Sequence, residues 1–167
     1  MKKEKLTIKD TFALALQHHQ KNNLQAAEQL YKQILESEPD HVESIFRLGS
    51  LLIQTKNFDT AQQLLNKVIQ IDPNHAKAHN NLGIAFQKMK KHQEAINCYE
   101  KAIQIIPNFA DAYCNLALLY MDISRDEKAL QYCDQVLNFV PDMLKAINLK
   151  SEILKRNIPS WHVAMIN

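Results

Sequence analysis

The stretch HNNLGIAF, residues 79–86, places a glycine inside what otherwise reads as an amphipathic helix. The stretch FRLGSLLI, residues 46–53, carries the only other glycine of the chain in a similar local pattern. A glycine in a helix interior costs about 1 kcal/mol relative to alanine, so the surroundings must favour the absence of a side chain. The positions of Gly49 and Gly83 differ by 34, and this spacing indicates an internal repeat.

Prolines fix the register of that repeat. Four of the five prolines recur with the same spacing, at Pro39, Pro73, Pro107 and Pro141, and they divide the chain without gaps into units 8–41, 42–75, 76–109 and 110–143. The eighth place of a unit is always small and the twentieth is always alanine: Ala15, Gly49, Gly83 and Ala117, then Ala27, Ala61, Ala95 and Ala129. Helices approach closely where both carry small side chains, so each unit is predicted to be a tight hairpin of two antiparallel helices.

The ends of these helices are also marked. Each recurring proline is expected to end the second helix of its unit. The residue after it is always Asp or Asn, which predicts the N-cap of the next helix at Asp40, Asn74, Asn108 and Asp142. Glu43 makes the first of these resemble a capping box. Polar residues at 21–23, 56–57, 90–92 and 124–126 predict the turn inside each hairpin, where Asn adopts the left-handed conformation more easily than Lys.

This pattern resembles the tetratricopeptide repeat, and the resemblance covers residues 8–143. It implies an all-α fold, a right-handed α-solenoid of four helical hairpins whose first helices line a concave groove. Residues 144–157 continue the helical period without a second arm in phase, which predicts a C-terminal capping helix. The repeat domain is therefore expected over residues 1–157, with residues 158–167 as a separate apolar tail or the start of a following domain.

Composition narrows the functional classes. The net charge is only +2, which gives no support for nucleic-acid binding. There is no apolar run of the roughly 18 residues that a membrane span needs, and the basic segment MKKEKLT at residues 1–7 does not resemble a signal peptide. The three cysteines are widely spaced and contain no CxxC pair, so neither a zinc site nor a disulfide framework is predicted. A cytoplasmic location is expected, although an effector exported from a bacterium has the same features.

Catalysis is not predicted. His75 and His79 are four residues apart, a spacing that metal sites use, but no third ligand is fixed near them and no metal is expected. Both glycines lie within predicted helices, so there is no glycine-rich loop for a cofactor such as S-adenosylmethionine. The cysteines form no recognisable nucleophile pair with a histidine. We therefore expect a chain without a catalytic residue, metal or cofactor.

Binding of a protein or peptide partner is the predicted function, and the groove is the predicted site. The family geometry directs six places of each first helix into the groove, and the candidate residues there are Arg47, Lys77, Asn80, Asn81, Ile84, Lys88, Asn115, Leu118 and Asn148. Asn81 and Asn115 share the sixth place, with Asn148 as a continuation, and resemble the asparagine ladder by which glycosyltransferase-type arrays hold a peptide backbone. The alternative, that these asparagines are solvated repeat consensus, stays open.

The tail IPSWHVAMIN, residues 158–167, offers a second function. Its residues Trp161, His162, Met165 and Asn167 resemble the WHxxMxN segment at the entrance to the catalytic domain of tetratricopeptide-fused protein arginine methyltransferases. In that case the chain is the substrate-recruiting arm of an enzyme whose catalytic domain lies elsewhere. A docked tail is the simpler alternative, and self-association through the end hairpins or the tail is a third possibility.

Overall fold

The computed structural model describes residues 6–157 as a row of antiparallel helices, and no strand occurs in this range. The helices are α1 (Ile8–Gln20), α2 (Leu24–Ser37), α3 (Val42–Gln54), α4 (Phe58–Ile71), α5 (Ala76–Lys88), α6 (His92–Ile105), α7 (Ala110–Asp122), α8 (Asp126–Phe139) and α9 (Leu144–Arg156). The first helices begin at equal intervals from Ile8 to Leu144, with the period that the prolines and glycines predict. The predicted all-α helical repeat fold is confirmed.

The N-caps of the first helices lie one residue later than predicted. The N-caps of α3, α5, α7 and α9 are His41, His75, Phe109 and Met143, and not the Asp or Asn that precedes each. The proline and the following residue lie in a turn, which the His41 N–H closes by donating to the Glu38 carbonyl. The His41 and His75 side chains accept from backbone N–H groups at 3.2 and 3.1 Å. The one capping box in residues 6–157 is formed by Thr7 and Asp10, so the prediction for Glu43 was wrong.

The turns inside the hairpins require a left-handed residue at one fixed place. Asn22, Lys56, Lys90 and Ser124 have φ values between 59° and 63° and occupy the same place in successive repeats. Only the first of these is a residue type that favours this conformation. The repeat therefore imposes the conformation, and the two lysines adopt it at an energetic cost.

The glycines lie where the two arms of a hairpin cross. A methyl group added to Gly83 would lie 2.6 Å from the ring of Tyr99, which is fully buried on α6. A methyl group on Gly49 would lie 3.1 Å from Leu65 on α4, a much smaller conflict. The sequence prediction that a neighbouring helix occupies the space beside each glycine is confirmed.

The first helices also contact one another along the row. α3 contacts α5, α5 contacts α7, and α7 contacts α9, whereas no two second helices make comparable contact within residues 6–157. Elements that approach on one side of a row and separate on the other produce a curved array. The first helices therefore lie on the inner side of the curve, where the predicted groove residues are located.

Gly83→Ala tests the crossing. We expect the substitution to lower the free energy of unfolding by about 1–2 kcal/mol, because overpacking against the buried Tyr99 ring outweighs the helix propensity of alanine. Gly49→Ala is the matched control and is expected to be nearly neutral, since Leu65 has to shift by only a few tenths of an ångström. Urea unfolding measures both variants. A Gly83→Ala protein as stable as the original chain would contradict this account of the crossing.

Lys90→Gly tests the turn. Glycine adopts a positive φ without the penalty that a side chain brings, so we expect the free energy of unfolding to rise by about 0.5–1 kcal/mol. Lys56→Gly should behave in the same way, and the two effects should add because the turns are far apart. Lys101→Gly, in the interior of α6, is the control and should lower the free energy of unfolding by about 1 kcal/mol. Thermal unfolding distinguishes these directions.

Candidate functional site

The nine predicted groove residues lie on four first helices but differ widely in accessibility. Lys77, Lys88 and Asn148 are exposed, Arg47, Asn81, Ile84 and Leu118 are half-buried, and Asn80 and Asn115 are buried. We call the surface formed by the seven accessible residues the inner groove. It runs across α3, α5, α7 and α9, which the contacts between first helices hold side by side.

Asn115 is not an open rung of a ladder. Its Nδ2 donates to Oδ1 of Asn80 at 2.9 Å, and its Oδ1 accepts from Nζ of Lys145 at 2.9 Å. Asn115 is only 7% exposed and Asn80 only 6% exposed. Both ends of the Asn115 amide are therefore used to join α5, α7 and α9. Asn80 and Asn115 therefore have a role within the fold, and contact of either residue with a ligand stays a prediction from the sequence.

Asn81, unlike Asn115, retains an accessible hydrogen-bonding group. Its Nδ2 donates to Oγ of Ser50 at 2.8 Å, and that hydroxyl donates to the Phe46 carbonyl at 2.9 Å. These bonds join α3 to α5 and fix the direction of the amide. Its Oδ1 has no hydrogen-bond partner within residues 6–157, and the side chain is half-buried. The amide oxygen of Asn81 is therefore free to accept a hydrogen bond from a ligand.

Asn148 does not continue the series at the sixth place. Because α9 begins one full period after α7, the sixth place on α9 is Leu149, which is 7% exposed like Asn115. The predicted match of Asn148 to Asn115 was therefore one residue out of register. Asn148 instead lines a shallow pocket with Leu118, Lys145, Leu149 and Glu152. It is an accessible groove residue in a different position from the one predicted.

Charges of both signs lie along the inner groove. Nε of Arg47 is 2.7 Å from Oε1 of Glu43, and its guanidinium carbon is 5.7 Å from the centre of the Phe46 ring. Lys77 and Lys88 form no ion pair within the described part of the chain. Gln87 donates to Oδ2 of Asp122 at 3.1 Å. The charge of Arg47 is therefore partly offset by Glu43, whereas those of Lys77 and Lys88 are not paired within residues 6–157.

Sequence reasoning missed the polar bonds between neighbouring repeats. His19 and Gln54, Asn80 and Asn115, Gln87 and Asp122, and Met121 and Arg156 each join residues 35 positions apart. This separation is one repeat plus one residue. It brings two polar groups together on adjacent first helices, and a search for polar pairs at this offset would have found three of the four. The fourth uses the main-chain carbonyl of Met121, which the residue type does not reveal.

The histidines and cysteines singled out by the sequence contribute to the fold and show no sign of reactivity. His75 caps α5, and Nε2 of His79 donates to the Pro73 carbonyl at 3.0 Å. Burial raises the pKa of the Cys98 thiol to about 12 and that of Cys133 to about 11, so both are protonated at neutral pH. Among residues 6–157, no three His, Cys, Asp or Glu side chains form a group that could hold a metal ion.

None of the helices described here has the length and apolar character needed to cross a membrane. The predictions made for residues 158–167 lie outside the described residues. The resemblance of this segment to a methyltransferase linker therefore stays a prediction from the sequence.

Asn115→Ala tests the internal role of this asparagine. The substitution leaves the buried Oδ1 of Asn80 without a donor, so we expect the free energy of unfolding to fall by about 1–3 kcal/mol. Asn148→Ala removes the same group from an exposed position on α9 and should change the free energy by less than about 0.5 kcal/mol. Urea unfolding compares the two. Equal stability of the two variants would show that the bond to Asn80 contributes little.

Comparison with solved structures agrees with this architecture. A crystal structure of MamA is 24% identical, with a TM-score of 0.73, and the match covers 89% of this chain and 86% of that chain. MamA from Desulfovibrio magneticus RS-1 is 18% identical, with a TM-score of 0.76, over 83% of this chain and 78% of that chain. A chain in the crystal structure of the APC/C hetero-tetramer Cut9-Hcn1 is 20% identical, with a TM-score of 0.82, over 89% of this chain and 30% of that chain. At these identities the likeness shows the fold.

A search of curated proteins found no significant match. The family model described as the tetratricopeptide repeat protein 21 C-terminal ARM domain matches residues 1–157, which include all nine helices described here. The chain therefore belongs to the tetratricopeptide repeat protein 21 C-terminal ARM domain family of helical repeats.

Proposed function

We propose that this chain is a non-catalytic protein-interaction scaffold that holds an extended segment of a partner protein in the inner groove. The observation that carries the proposal is the fixed, accessible amide oxygen of Asn81, which lies on α5 among half-buried apolar side chains. Ile84 is one helical turn away on the same helix, and Leu118 is on the next first helix. A backbone N–H of a partner segment would donate to the amide, and its side chains would contact the apolar positions.

The spacing of the first helices suits an extended chain. Packed helices lie about 8–10 Å apart, and an extended chain advances about 3.3 Å per residue. A partner segment that runs across the first helices therefore passes from one helix to the next in about two to three residues. Alternate side chains of an extended segment point to the same face, so every second side chain would be directed at the inner groove.

Apolar contacts are expected to contribute most of the binding free energy. One hydrogen bond to Asn81 contributes about 0.5–1.5 kcal/mol, which is small against the roughly −8 kcal/mol of micromolar binding. Burying one aliphatic side chain contributes about 1.5–3 kcal/mol. Two or three partner side chains against Ile84, Leu118 and the pocket beside Asn148 would supply most of the affinity. The hydrogen bond would fix the register of the partner.

The compared proteins are consistent with this class of function. The solved chain that matches in the Cut9-Hcn1 hetero-tetramer shares the fold and belongs to an assembly of two kinds of protein. The matched family is a helical-repeat family. A cytoplasmic location remains part of the proposal, based on the composition described above.

The inner groove is tested with peptides selected from a displayed random library against the full chain. Asn81→Ala combined with Lys77→Glu should weaken binding of the selected peptides about tenfold, which corresponds to about 1.4 kcal/mol. Asn81 is used because Asn115 supports the fold. Calorimetric titration measures the affinity, and unfolding curves verify that both proteins are folded.

Asn138→Ala combined with Lys101→Glu is the matched control. These residues are exposed on the second helices α8 and α6, so the same chemical changes occur away from the inner groove. The control should bind the selected peptides as the original chain does. Unchanged affinity of the groove variant, or equal losses in both variants, would refute the proposed site.

A further inference from the structure

The last helix exposes an apolar strip on the side away from the repeats. Leu144, Ile147 and Leu154 are 72%, 40% and 48% exposed, and the exposed Ser151 lies between them. We call these four residues the α9 strip. They occupy the first, fourth, eighth and eleventh places of the repeat, since α9 begins in register with the other first helices.

In the complete hairpins, the corresponding surface faces the second helix of the same pair. The eighth place there is Ala15, Gly49, Gly83 or Ala117, all buried, and Ser151 occupies it on α9. The fourth place is Thr11, Ile45, His79 or Tyr113, and the first three of these are also buried. The α9 strip therefore has the composition of a surface that receives a second arm, including the small residue at the crossing.

The opposite side of α9 is already used. Ala146, Leu149 and Ile153 are buried at the third, sixth and tenth places, where the earlier first helices contact the preceding pair. Lys150 also forms an ion pair with Asp134 of α8 at 2.6 Å. The position of α9 in the row is fixed by these contacts. The exposed strip is thus a defined surface on a docked helix.

The chain itself carries a segment with suitable chemistry directly after α9. In each complete hairpin three residues separate the first helix from the second, so the equivalent second arm would begin at Ser160. Residues 161–167 then supply four large apolar side chains, Trp161, Val163, Met165 and Ile166. A segment joined by so short a connection meets the strip at an effective concentration of about millimolar or higher.

We propose that residues 158–167 dock on the α9 strip in the place of a fifth second arm. In this arrangement the segment covers Ile147 and Leu154, and the small Ser151 side chain lets the segment approach α9 closely. The proposal concerns a surface separate from the inner groove, since Lys145, Asn148 and Glu152 lie on the groove side of α9. It does not depend on the proposed peptide binding.

Trp161 reports on this docking because it is the only tryptophan in the chain. In the full chain of residues 1–167 we expect blue-shifted emission and protection from acrylamide quenching. Ile147→Lys combined with Leu154→Lys should shift the emission and the quenching constant to those of the urea-unfolded chain, while the helical circular dichroism is retained. Both residues are exposed in the described structure, so the helix itself tolerates the change.

Ile71→Lys combined with Ile106→Lys is the matched control. These isoleucines are 44% and 38% exposed near the ends of α4 and α6, away from α9, and their replacement should leave the fluorescence unchanged. If the double lysine variant of α9 loses helicity, Ser151→Arg is the second variant. It fills the small eighth place without removing an apolar side chain and should expose Trp161 in the same way.

Two results would overturn the proposal. Trp161 quenched in the original chain as strongly as in the unfolded chain would mean that the segment does not cover the strip. Protection that increases with protein concentration, together with a doubled mass by light scattering, would identify a second copy of the chain as the occupant. Protection that is independent of concentration in a monomer, and is lost in the α9 variants alone, supports docking within the chain.

Discussion

The close approach of two helices at the eighth place of each repeat is the constraint on which the rest of the structure depends. At Gly83 the partner is the ring of Tyr99, which would lie 2.6 Å from an added methyl group. The Tyr99 hydroxyl also donates to Gln87 on the opposite arm at 2.8 Å, so the ring is fixed at both ends. This contact sets the separation of the two arms. Because each hairpin has a small buried residue at this place, successive hairpins stack in a similar way and bring the first helices to one side.

That stacking determines which polar groups meet on the inner side. Neighbouring first helices are offset by one repeat plus one residue, so side chains 35 positions apart form hydrogen bonds. Such bonds stabilise the curve but use groups that a ligand would otherwise contact. Asn115 is bonded at both its Nδ2 and its Oδ1, whereas Asn81 bonds through its Nδ2 and leaves its Oδ1 accessible. One residue type at one place in the repeat therefore supports the fold in one case and offers a binding group in the other.

Features that depend on local sequence could be predicted, whereas features that depend on how separate helices pack could not. The positions of the helices and the crossing at Gly83 were predictable from the sequence. The apolar period and the prolines act locally, and the small residues recur in every repeat. The N-cap at His75 was missed because the turn after Pro73 is one residue longer than an N-cap at Asn74 would require. The environment of Asn115 was missed because it depends on the offset between separate helices. Asn148 was misplaced because matching residue types suggested a spacing one residue shorter than the period, whereas helix packing preserved the full period.

The end of the array links the two surfaces of α9. Within residues 6–157, α9 contacts mainly α7 and α8, and a helix with few buried contacts is among the first parts to open locally. α9 buries Ala146, Leu149 and Ile153 on one side only, yet it supplies Lys145, which donates to Asn115. Opening of α9 therefore removes one of the two bonds that hold the Asn115 amide. Any group that covers the α9 strip reduces this opening and thereby stabilises the bond between Asn115 and Asn80. Cover on the apolar side of α9 would thus favour the order of the buried Asn80–Asn115 pair, without contacting it.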